Sequence, residues 1–308
     1  MSRIFIVFTG AGIATVVFLF LRFSRFVYLY LRPSSLYQYH YGEEPWALVT
    51  GASDGIGKCL ATELARHSFN VMLHGRNPSK LENVVSILRH QFSQRKFRTA
   101  VLDASSATHR QISDLVSSFD DIHLTILVNN VAGGQIVQPL TNTSPDQVDL
   151  SLNCNARFPA QLTRSLLPRF AGSKDRSLIL NIGSAANTFT PYASVYGGSK
   201  ACNQAMSSCL NVEMVAEYLA PKIEILCISV AAVTEAAQNK APVSLFTPAA
   251  STMAKAILAR VGCGRAVVVG YFWHAVQLAV LGWMPMSVTT NIVAPIMRER
   301  WEDEKRKK

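Results

Sequence analysis

Residues 50–58 read TGASDGIGK and join a short apolar run, WALVTG, to a segment with helical periodicity. The glycines of this loop, Gly51, Gly55 and Gly57, have the spacing Gly-x-x-x-Gly-x-Gly. Glycine is favoured where a turn needs a positive φ and where the backbone must approach a pyrophosphate closely. The amino terminus of the following helix would add free N–H groups and partial positive charge. Any tight strand-to-helix turn can use glycine, so the surrounding pattern decides the meaning of this one.

Short apolar runs alternate with amphipathic helical stretches through the middle of the chain. The runs are WALVTG, NVMLHG, FRTAVLD, TILVNN, SLILNIGS and IEILCISV. This alternation predicts right-handed βαβ units and a parallel sheet of six or seven strands with helices on both faces. No internal repeat or low-complexity tract interrupts it. We therefore expect a single α/β domain over residues 45–264, with a doubly wound parallel sheet of the Rossmann type.

The amino-terminal end of the chain is strongly apolar. Residues 4–21 are eighteen consecutive uncharged residues, close to the length that a helix needs to cross hydrocarbon. We interpret residues 1–32 as a membrane anchor. A cleaved signal peptide is the alternative, but it would have a shorter apolar region and a small-residue cleavage site. Three arginines follow the run and one precedes it, so the positive-inside rule places the following domain in the cytosol.

A second apolar run occupies residues 266–297 and is interrupted by His274, Gln277 and Pro285. It could cross the membrane, dip into it as a hairpin or form a buried helix. We favour membrane contact, because its Trp and Tyr side chains suit the lipid–water interface. Residues 265–308 are thus interpreted as a hydrophobic membrane-associated segment with a basic tail. The last four residues resemble basic retrieval signals of the endoplasmic reticulum, and a solvated helix end explains them equally well.

The composition narrows the classes of partner. Of the 308 residues, 49% are apolar, which is enough to fill a large core, and only 16% are charged. The net charge of +10 would suit nucleic acid, anionic lipid or a phosphorylated substrate. No nucleic-acid motif accompanies the charge, so we favour the last two. The six cysteines are scattered along the chain, which favours a reducing compartment over a disulfide framework. Their spacing does not match that of metal ligands, so we expect no metal site.

The second predicted strand, NVMLHG, is followed by RNPSK, which begins with Arg76. Dinucleotide enzymes that use the unphosphorylated cofactor carry an acidic residue at this strand end. An arginine there can pair with a 2′-phosphate, so the sequence favours NADP(H). A surface arginine without a ligand is the alternative interpretation.

The stretch VYGGSK, residues 195–200, places Tyr196 and Lys200 one helical turn apart. A free tyrosine has a pKa of about 10 and exchanges protons poorly at neutral pH. A lysine on the same helix face can stabilise the phenolate and lower that pKa. Taken alone, the pair is more often an exposed pair without function. The remaining motifs decide between the two interpretations.

Several motifs occur in one order: TGASDGIG, NNVAG, Asn155 in a helical stretch, Ser184 after LILNIG, and YGGSK. Together they resemble the short-chain dehydrogenase/reductase superfamily. The resemblance implies that Tyr196 donates a proton to a substrate carbonyl while hydride arrives from the nicotinamide. It also implies that Lys200 lowers the tyrosine pKa and holds the nicotinamide ribose. Ser184 would hydrogen-bond the substrate carbonyl, and Asn155 would hold a water that links Lys200 to solvent.

The same resemblance assigns the contacts to NADP(H). The implied cofactor-binding residues are Gly51, Ser53, Asp54, Gly55, Ile56, Gly57, Arg76, Asp103, Asn130, Tyr196, Lys200 and Val233. Asp103 would contact the adenine, Ile56 would cover the pyrophosphate through its backbone, and Val233 would meet the nicotinamide amide. Asp103 could instead cap a helix, and Asn129 could serve only to tie strands together.

A closer similarity rests on the anchor, SDGIGK, LTRSLLPRF and the hydrophobic carboxy-terminal end with its basic tail. These features resemble the membrane-bound very-long-chain 3-oxoacyl-CoA reductases of fatty acid elongation and their 17β-hydroxysteroid dehydrogenase relatives. Two departures stand out. The Pro-Gly pair that many members carry after the sixth strand is replaced by SVAAVTEAAQ, with Glu235 where a hydroxyl residue is common. The loop between Ser184 and Tyr196 is one residue shorter than in close relatives.

The resemblance implies NADPH-dependent reduction of a long- or very-long-chain 3-oxoacyl-CoA on the cytosolic face of the endoplasmic reticulum. Residues 236–262 would form a mobile apolar cover over this lipid-like substrate, with Lys240 and Lys255 near the phosphates of coenzyme A. The implied partners are the membrane, elongation-complex proteins and a second copy of the chain, without nucleic acid.

Two alternatives remain open from the sequence. The chain could oxidise or reduce a 17β-hydroxysteroid or another lipid ketone. It could also be a catalytically silent membrane scaffold with the same fold. The intact set of Ser184, Tyr196 and Lys200 weighs against the scaffold, which would not require these residues.

Overall fold

The fold is a single parallel sheet with helices on both faces. The computed structural model describes residues 3–42, 44–135, 137–187, 190–236, 239 and 241–306, with side chains from residue 7 onward. The strands are β1 (Pro45–Thr50), β2 (Asn70–Gly75), β3 (Phe97–Val101), β4 (His123–Asn129), β5 (Ser177–Ile182), β6 (Ile223–Ser229) and β7 (Val267–Val269). Their order is β3-β2-β1-β4-β5-β6-β7 and every pairing is parallel. The predicted doubly wound sheet is therefore confirmed.

Ten helices accompany the sheet in the described residues. They are α1 (Arg3–Leu31), α2 (Gly55–Arg66), α3 (Pro78–Gln91), α4 (His109–Ser117), α5 (Pro145–Leu152), α6 (Phe158–Gly172), α7 (Ser194–Ala216), α8 (Ala250–Leu258), α9 (Phe272–Trp283) and α10 (Met286–Arg306). Local sequence signals start several of them. Thr108 and Ser144 each begin a helix with a complete capping box, which satisfies amide groups that the first turn leaves unpaired.

Alternate residues of each strand feed two separate cores. In β1, Ala47 and Val49 join one hydrophobic cluster and Trp46 and Leu48 join the other. Successive side chains point to opposite faces of a strand, so the clusters lie on the two sides of the sheet. Helices α2, α3 and α8 cover the first cluster, and α4, α6 and α7 cover the second. The sheet order reverses between β1 and β4, which places a ligand crevice at the carboxyl ends of these strands.

Helix α1 combines an exposed apolar stretch with a docked end. Over Val7–Leu31 it is long and apolar enough to cross a membrane, and none of its most apolar 18-residue window is buried in the protein. At its end, the Arg260 guanidinium donates a hydrogen bond to Leu29 O and lies 4.7 Å over the ring of Tyr30. The Tyr30 hydroxyl donates to Val269 O at 2.8 Å. The helix is therefore fixed to the α/β domain, and its passage through a membrane remains a prediction.

The carboxy-terminal apolar run, residues 266–297, begins inside the folded domain. Its first part is β7, which pairs with β6, so the sheet extends beyond the predicted boundary at residue 264. Helix α9 has 12 residues, about 18 Å, and is too short to cross hydrocarbon about 30 Å thick. Within the described part of the chain, α1 alone meets the length and apolarity needed for a span. The carboxy-terminal run thus provides a strand and two helices rather than a second spanning helix.

Buried His274 holds α9 against the domain. Its Nδ1 accepts a hydrogen bond from the Ala231 N–H at 3.3 Å. This assignment leaves the proton on Nε2, which lies 3.2 Å from Phe246 O and donates to it. Burial lowers the pKa of His274, so the neutral ring is favoured at physiological pH. What looked like a polar interruption of an apolar run is a structural link between α9 and the loop after β6.

The predicted mobile cover over residues 236–262 is wrong for its second half. That half is α8, in which Met253, Ala254 and Ile257 are fully buried against the core that α2 also covers. Its apolar positions fill the domain instead of facing a substrate. Lys255 lies on the exposed side of α8, and Lys240 lies outside the described residues. The described part of the preceding loop carries the exposed apolar side chains of this segment, Val243, Leu245 and Phe246.

Candidate active site

The glycine loop has the geometry of a phosphate cradle. Gly51 and Gly55 have φ values of 64° and 54°, in the region where glycine is favoured. A Cβ atom at Gly57 would overlap the carbonyl oxygen of Gly51, so only glycine lets α2 start this close to the loop. Asp54 caps α2 by accepting a hydrogen bond from the Gly55 N–H at 2.8 Å. Ser53 and Ile56 are half-buried beside these glycines.

Asn130 joins this loop to the end of β4. Its side chain donates to Thr50 O at 2.9 Å, and its backbone N–H donates to the Thr50 hydroxyl at 2.9 Å. The preceding residue, Asn129, donates to Asn181 Oδ1 at 2.8 Å and to Thr163 Oγ1 at 3.0 Å. Asn129 therefore ties strands and helix α6 together, as its structural interpretation predicted. Asn130 fixes the floor of the crevice on which a dinucleotide would lie.

Arg76 and Asp103 face each other at the ends of β2 and β3. The Arg76 side chain is 73% exposed, and its Nη1 lies 4.0 Å from Asp103 Oδ2. Asp103 Oδ1 accepts hydrogen bonds from Ser105 N at 2.9 Å and Ser105 Oγ at 2.7 Å. Partial burial raises the pKa of Asp103, and the Ser105 hydrogen bonds and the Arg76 charge outweigh it, so the net pKa is lowered. An ion pair this long and exposed leaves the guanidinium free to bind an anion.

Asn155 lies in a short π-helical turn, Asn153–Arg157, between α5 and α6. Its Nδ2 donates to Gly133 O at 2.8 Å and its Oδ1 accepts from Gly133 N at 3.1 Å. The same amide donates to Ser199 Oγ at 3.1 Å. Wide turns of this kind interrupt α-helices mainly at functional sites. Asn155 therefore joins the NNVAG loop to α7, and its predicted link to a water remains a prediction.

A close approach of backbones brings Tyr196 to Ser184. A Cβ atom at Gly197 would overlap the carbonyl oxygen of Ala186, so glycine allows α7 to touch the turn after Ser184. Tyr196 is only 7% exposed, and the Ser184 side chain lies close enough to lower its pKa. The Ser184 hydroxyl also accepts from the Ala186 N–H at 3.1 Å. The two hydroxyls predicted to hold a carbonyl thus lie side by side.

Lys200 is buried one turn after Tyr196. It is 2% exposed, and its Nζ donates a hydrogen bond to Ile182 O at 2.9 Å. Burial lowers the pKa of Lys200 to about 8, because a low-dielectric environment disfavours the ammonium form. A lysine this deeply buried has no ordinary surface role, which supports the functional interpretation of the Tyr–Lys spacing.

The expected lowering of the Tyr196 pKa does not occur in this arrangement. Burial raises the pKa of Tyr196, and the hydrogen bond with Ser184 opposes the rise only in part. The Lys200 ammonium is engaged with Ile182 O and does not offset the burial. Tyr196 is consequently a neutral phenol at physiological pH, the form that can donate a proton.

The loop after β6 crosses over the glycine loop. Val233 is buried, and its carbonyl accepts a hydrogen bond from Asn239 Nδ2 at 2.9 Å. Glu235 has a φ of 60°, and its N–H donates to Asn239 O at 2.9 Å. A Cβ atom at Gly55 would come within 3.3 Å of Ala236 Cα. Asn239 therefore holds the segment that replaces the Pro-Gly pair, a role that the sequence did not reveal.

A small cleft opens beside Tyr196. Gly134, Gln138 and Leu140 line one side, and residues 192–196 line the other. The cleft, the Ser184–Tyr196 pair and the glycine loop all lie at the carboxyl edge of the sheet.

Two buried serines, Ser151 and Ser199, support Asn155. The sequence does not single them out, because neither has a catalytic role of its own. The position of Ser199 inside YGGSK was the available signal.

Comparison with known proteins agrees with this geometry. A family model described as short chain dehydrogenase matches residues 45–243. The chain is 30% identical over 253 residues to the very-long-chain 3-oxoacyl-CoA reductase let-767 of Caenorhabditis elegans, covering 80% of this chain and 78% of that protein. It is 28% identical over 296 residues to putative steroid dehydrogenase 3 of the same organism, covering 92% and 91%.

Solved structures share the fold. A short chain dehydrogenase from Shigella flexneri, complexed with NADP, superposes with a TM-score of 0.65 at 22% identity and covers 76% of this chain and 97% of its own. The matched residues 45–243 include the glycine loop, Ser184, Tyr196 and Lys200. The chain therefore belongs to the short chain dehydrogenase family of oxidoreductases.

Proposed function

We propose that the protein uses NADPH to reduce the 3-keto group of a long- or very-long-chain 3-oxoacyl-CoA to a hydroxyl group. The observation that carries this proposal is the buried arrangement of Tyr196, Ser184 and Lys200 beside the glycine loop. A neutral phenol next to a second hydroxyl suits a carbonyl oxygen that must be oriented and then protonated.

The crevice fits a phosphorylated dinucleotide. The positive-φ turn at Gly51 and the close approach at Gly57 leave backbone N–H groups and the start of α2 open to a pyrophosphate. Arg76 is exposed and would suit a 2′-phosphate, and Asp103 beside it would contact the adenine. Val233, on the loop that crosses Gly55, would meet the nicotinamide amide. NADPH, when bound, supplies the hydride that reduces the carbonyl carbon.

The residues of this chain would then act on the carbonyl oxygen. Ser184 donates a hydrogen bond that orients and polarises the carbonyl, and Tyr196 Oη transfers its proton to the developing alkoxide. The Lys200 ammonium, which predominates below a pKa of about 8, would hold the nicotinamide ribose. Asn155 keeps α7 and the NNVAG loop in register, so that these atoms stay together.

The choice of a fatty acyl substrate rests on the relatives and on α1. The relative let-767 is named a very-long-chain 3-oxoacyl-CoA reductase, and it aligns with 80% of this chain. Helix α1 is docked on the domain and would hold the cleft at a bilayer surface, where a lipid-like substrate is concentrated. The net charge of +10 suits the phosphates of coenzyme A and an anionic membrane.

A steroid or other lipid ketone is the second candidate. The specific observation in its favour is that putative steroid dehydrogenase 3 aligns with 92% of this chain. A catalytically silent scaffold is disfavoured, because burying Lys200 away from water is costly and a scaffold gains nothing from it.

We place the protein in the endoplasmic reticulum membrane with its catalytic domain in the cytosol. The three arginines that follow the apolar run support this orientation. We also propose a homodimer through α7, where Val212 and Val215 are exposed apolar residues, and contact with elongation-complex proteins. Cross-linking of the full-length protein in membranes would test the dimer.

One assay separates the candidate substrates. Full-length protein in detergent is mixed with NADPH and, in turn, with short-chain 3-oxoacyl-CoA, long-chain 3-oxoacyl-CoA and steroid ketones, and NADPH absorbance is followed. We expect the highest kcat/KM with the long-chain 3-oxoacyl-CoA. Preference for a steroid ketone would favour the second candidate. Bound NADPH without turnover of any ketone would favour the scaffold.

A further inference from the structure

One face of helix α10 is shielded from solvent between Thr289 and Trp301. Thr289, Val293, Met297 and Trp301 are spaced by four residues and are all buried or half-buried. Residues four apart lie on the same face of a helix, so these side chains form a single inward stripe. The carboxy-terminal helix is therefore packed on the domain and is not a free tail.

The last side chain of the stripe reaches the wall of the cleft. The Trp301 ring stacks on the ring of Tyr192, with centroids 5.6 Å apart and planes inclined by 13°. The Lys305 ammonium lies 5.9 Å from the centre of the same Trp301 ring. Offset stacking at this separation is a favourable aromatic geometry. The contact joins residues 109 positions apart in the chain, so no local sequence signal announces it.

Tyr192 is in turn held by the opposite wall of the cleft. Its φ of 63° is unusual for a tyrosine, which costs free energy unless the surroundings hold it. Its carbonyl accepts a hydrogen bond from the Gln138 N–H at 2.8 Å. The Gln138 side chain donates to Gln147 Oε1 at 2.8 Å. Tyr192 and Gln138 both line the cleft, and Tyr192 precedes Tyr196 by four residues.

The size of the cleft shows what this wall would meet. The enclosed volume of the cleft is about 20 Å³, far below the roughly 300–1,000 Å³ of pockets that enclose a whole drug-sized ligand. A long acyl chain would therefore have to extend past the rim of the cleft. Tyr192 and Trp301 form part of that rim, and α10 continues from it with the exposed apolar side chains of Ile292 and Ile296.

We propose that Trp301 is a specificity-determining residue, which holds Tyr192 in place and with it forms an aromatic wall for the acyl chain of the substrate. This inference rests on the proposed function for its substrate class. Trp301 lies outside residues 45–243 that match the family model, so this chain would add the wall to the shared fold through its own carboxy-terminal helix.

The kinetic test uses the full-length protein in detergent. Trp301→Ala should raise KM for a long-chain 3-oxoacyl-CoA by roughly 2- to 12-fold, the ratio that corresponds to loss of one aromatic pair. It should leave kcat and the KM for a short-chain 3-oxoacyl-CoA unchanged, and Trp301→Phe should restore most of the affinity. The matched control is Trp283→Ala, because Trp283 is 77% exposed at the end of α9. Equal KM changes for both chain lengths, or none, would overturn the proposal.

A second measurement does not depend on the substrate. Amide hydrogen exchange of residues 192–195 should be faster in Trp301→Ala than in the wild type and in Trp283→Ala, because the Tyr192 backbone loses its support. Unchanged exchange in this segment would overturn the role of Trp301. If no 3-oxoacyl-CoA is turned over but exchange is faster, the proposed function fails while the contact between α10 and the cleft wall stands.

Discussion

Two cationic side chains of the site, Lys200 and Arg76, lie in opposite surroundings, one buried and one exposed to solvent. Lys200 is buried and has a lowered pKa of about 8, whereas Arg76 is largely exposed and only loosely paired with Asp103. The first charge costs stability, and the proposed function gives it a chemical role. The second is free to select a ligand. Each difference leads to a measurable outcome at the scale of one residue.

The burial of Lys200 predicts a pH-dependent cost. The folded pKa of about 8 lies below the unfolded value of about 10.4, so between these values the unfolded chain binds more protons and stability rises with pH. Below pH 8 the full penalty applies, at most roughly 3 kcal/mol. Lys200→Met should therefore raise Tm at pH 7, with a gain that shrinks by pH 10, and should abolish activity. A Tm difference that is independent of pH would contradict this.

Arg76 predicts the cofactor preference. Arg76→Asp should move selectivity from NADPH towards NADH, because a carboxylate repels a 2′-phosphate and accepts hydrogen bonds from ribose hydroxyls. The ratio of kcat/KM for the two cofactors measures this. Arg110→Asp, an exposed change of the same charge on α4, is the control and should leave the ratio unchanged. If both variants keep the wild-type ratio, Arg76 does not select the cofactor.

At the scale of elements, the packing of α7 on the turn after β5 decides the geometry of the site. Gly197 and Gly198 are adjacent in the same helix, yet a Cβ atom at Gly197 would overlap Ala186 O and one at Gly198 would meet no described atom within 4 Å. One glycine is therefore required by a backbone contact, and the other is not.

Gly197→Ala should push α7 away from Ser184 and lower kcat by at least about tenfold, because a displacement of about 1 Å can cost 10²-fold in rate. Gly198→Ala should keep wild-type kcat and gain up to about 1 kcal/mol of stability from higher helix propensity. Steady-state kinetics and thermal unfolding of the two variants provide the comparison. Equal kinetics for both would mean that this contact does not position Tyr196.

Elements differ in how far the sequence predicts them. The six long apolar runs correspond to β1–β6, because β-branched residues between helical stretches are a strong local signal. The three-residue strand β7 lies within a longer apolar run and has no local signal of its own. The amphipathic pattern of α8 fits a core helix and a substrate cover equally well, so the sequence alone does not distinguish them. The glycine loop and the Tyr–Lys spacing are local and could be recognised. The hydrogen bonds from Asn155 to Gly133 and Ser199 and the Tyr192–Trp301 stack join residues distant in the sequence and could not be recognised. The bonds of Asn239 to Val233 and Glu235 are local, but they follow no recognisable motif.

At the scale of the whole molecule, α1 is both a predicted anchor and part of the folded domain. Arg260 is buried and donates to Leu29 O, and Ser34 Oγ donates to Leu258 O at 2.6 Å. These contacts involve the end of the helix and the residues just after it. The exposed apolar part before it is free to lie in a membrane.

Two truncations separate these roles. A chain that begins at Ser24 should keep the wild-type Tm in detergent but lose sedimentation with membranes. A chain that begins at Leu36 should lose about 2 kcal/mol or more of stability, because Arg260 would be left without its buried acceptor. Thermal unfolding and membrane sedimentation of both chains test this. Equal Tm values for the two would show that the end of α1 is not part of the domain.

The central claim is that hydride and proton meet at the 3-keto carbon and oxygen of a fatty acyl substrate held against Ser184 and Tyr196. The most direct test incubates the full-length protein with NADPH that carries deuterium at both C4 positions and a long-chain 3-oxoacyl-CoA, followed by mass spectrometry of the product. We expect a 3-hydroxyacyl-CoA with one deuterium at C3, and in Tyr196→Phe a rate lower by on the order of 10² or more with NADPH still bound. Absence of the deuterated product with the wild type, or an equal rate with Tyr196→Phe, would contradict the account.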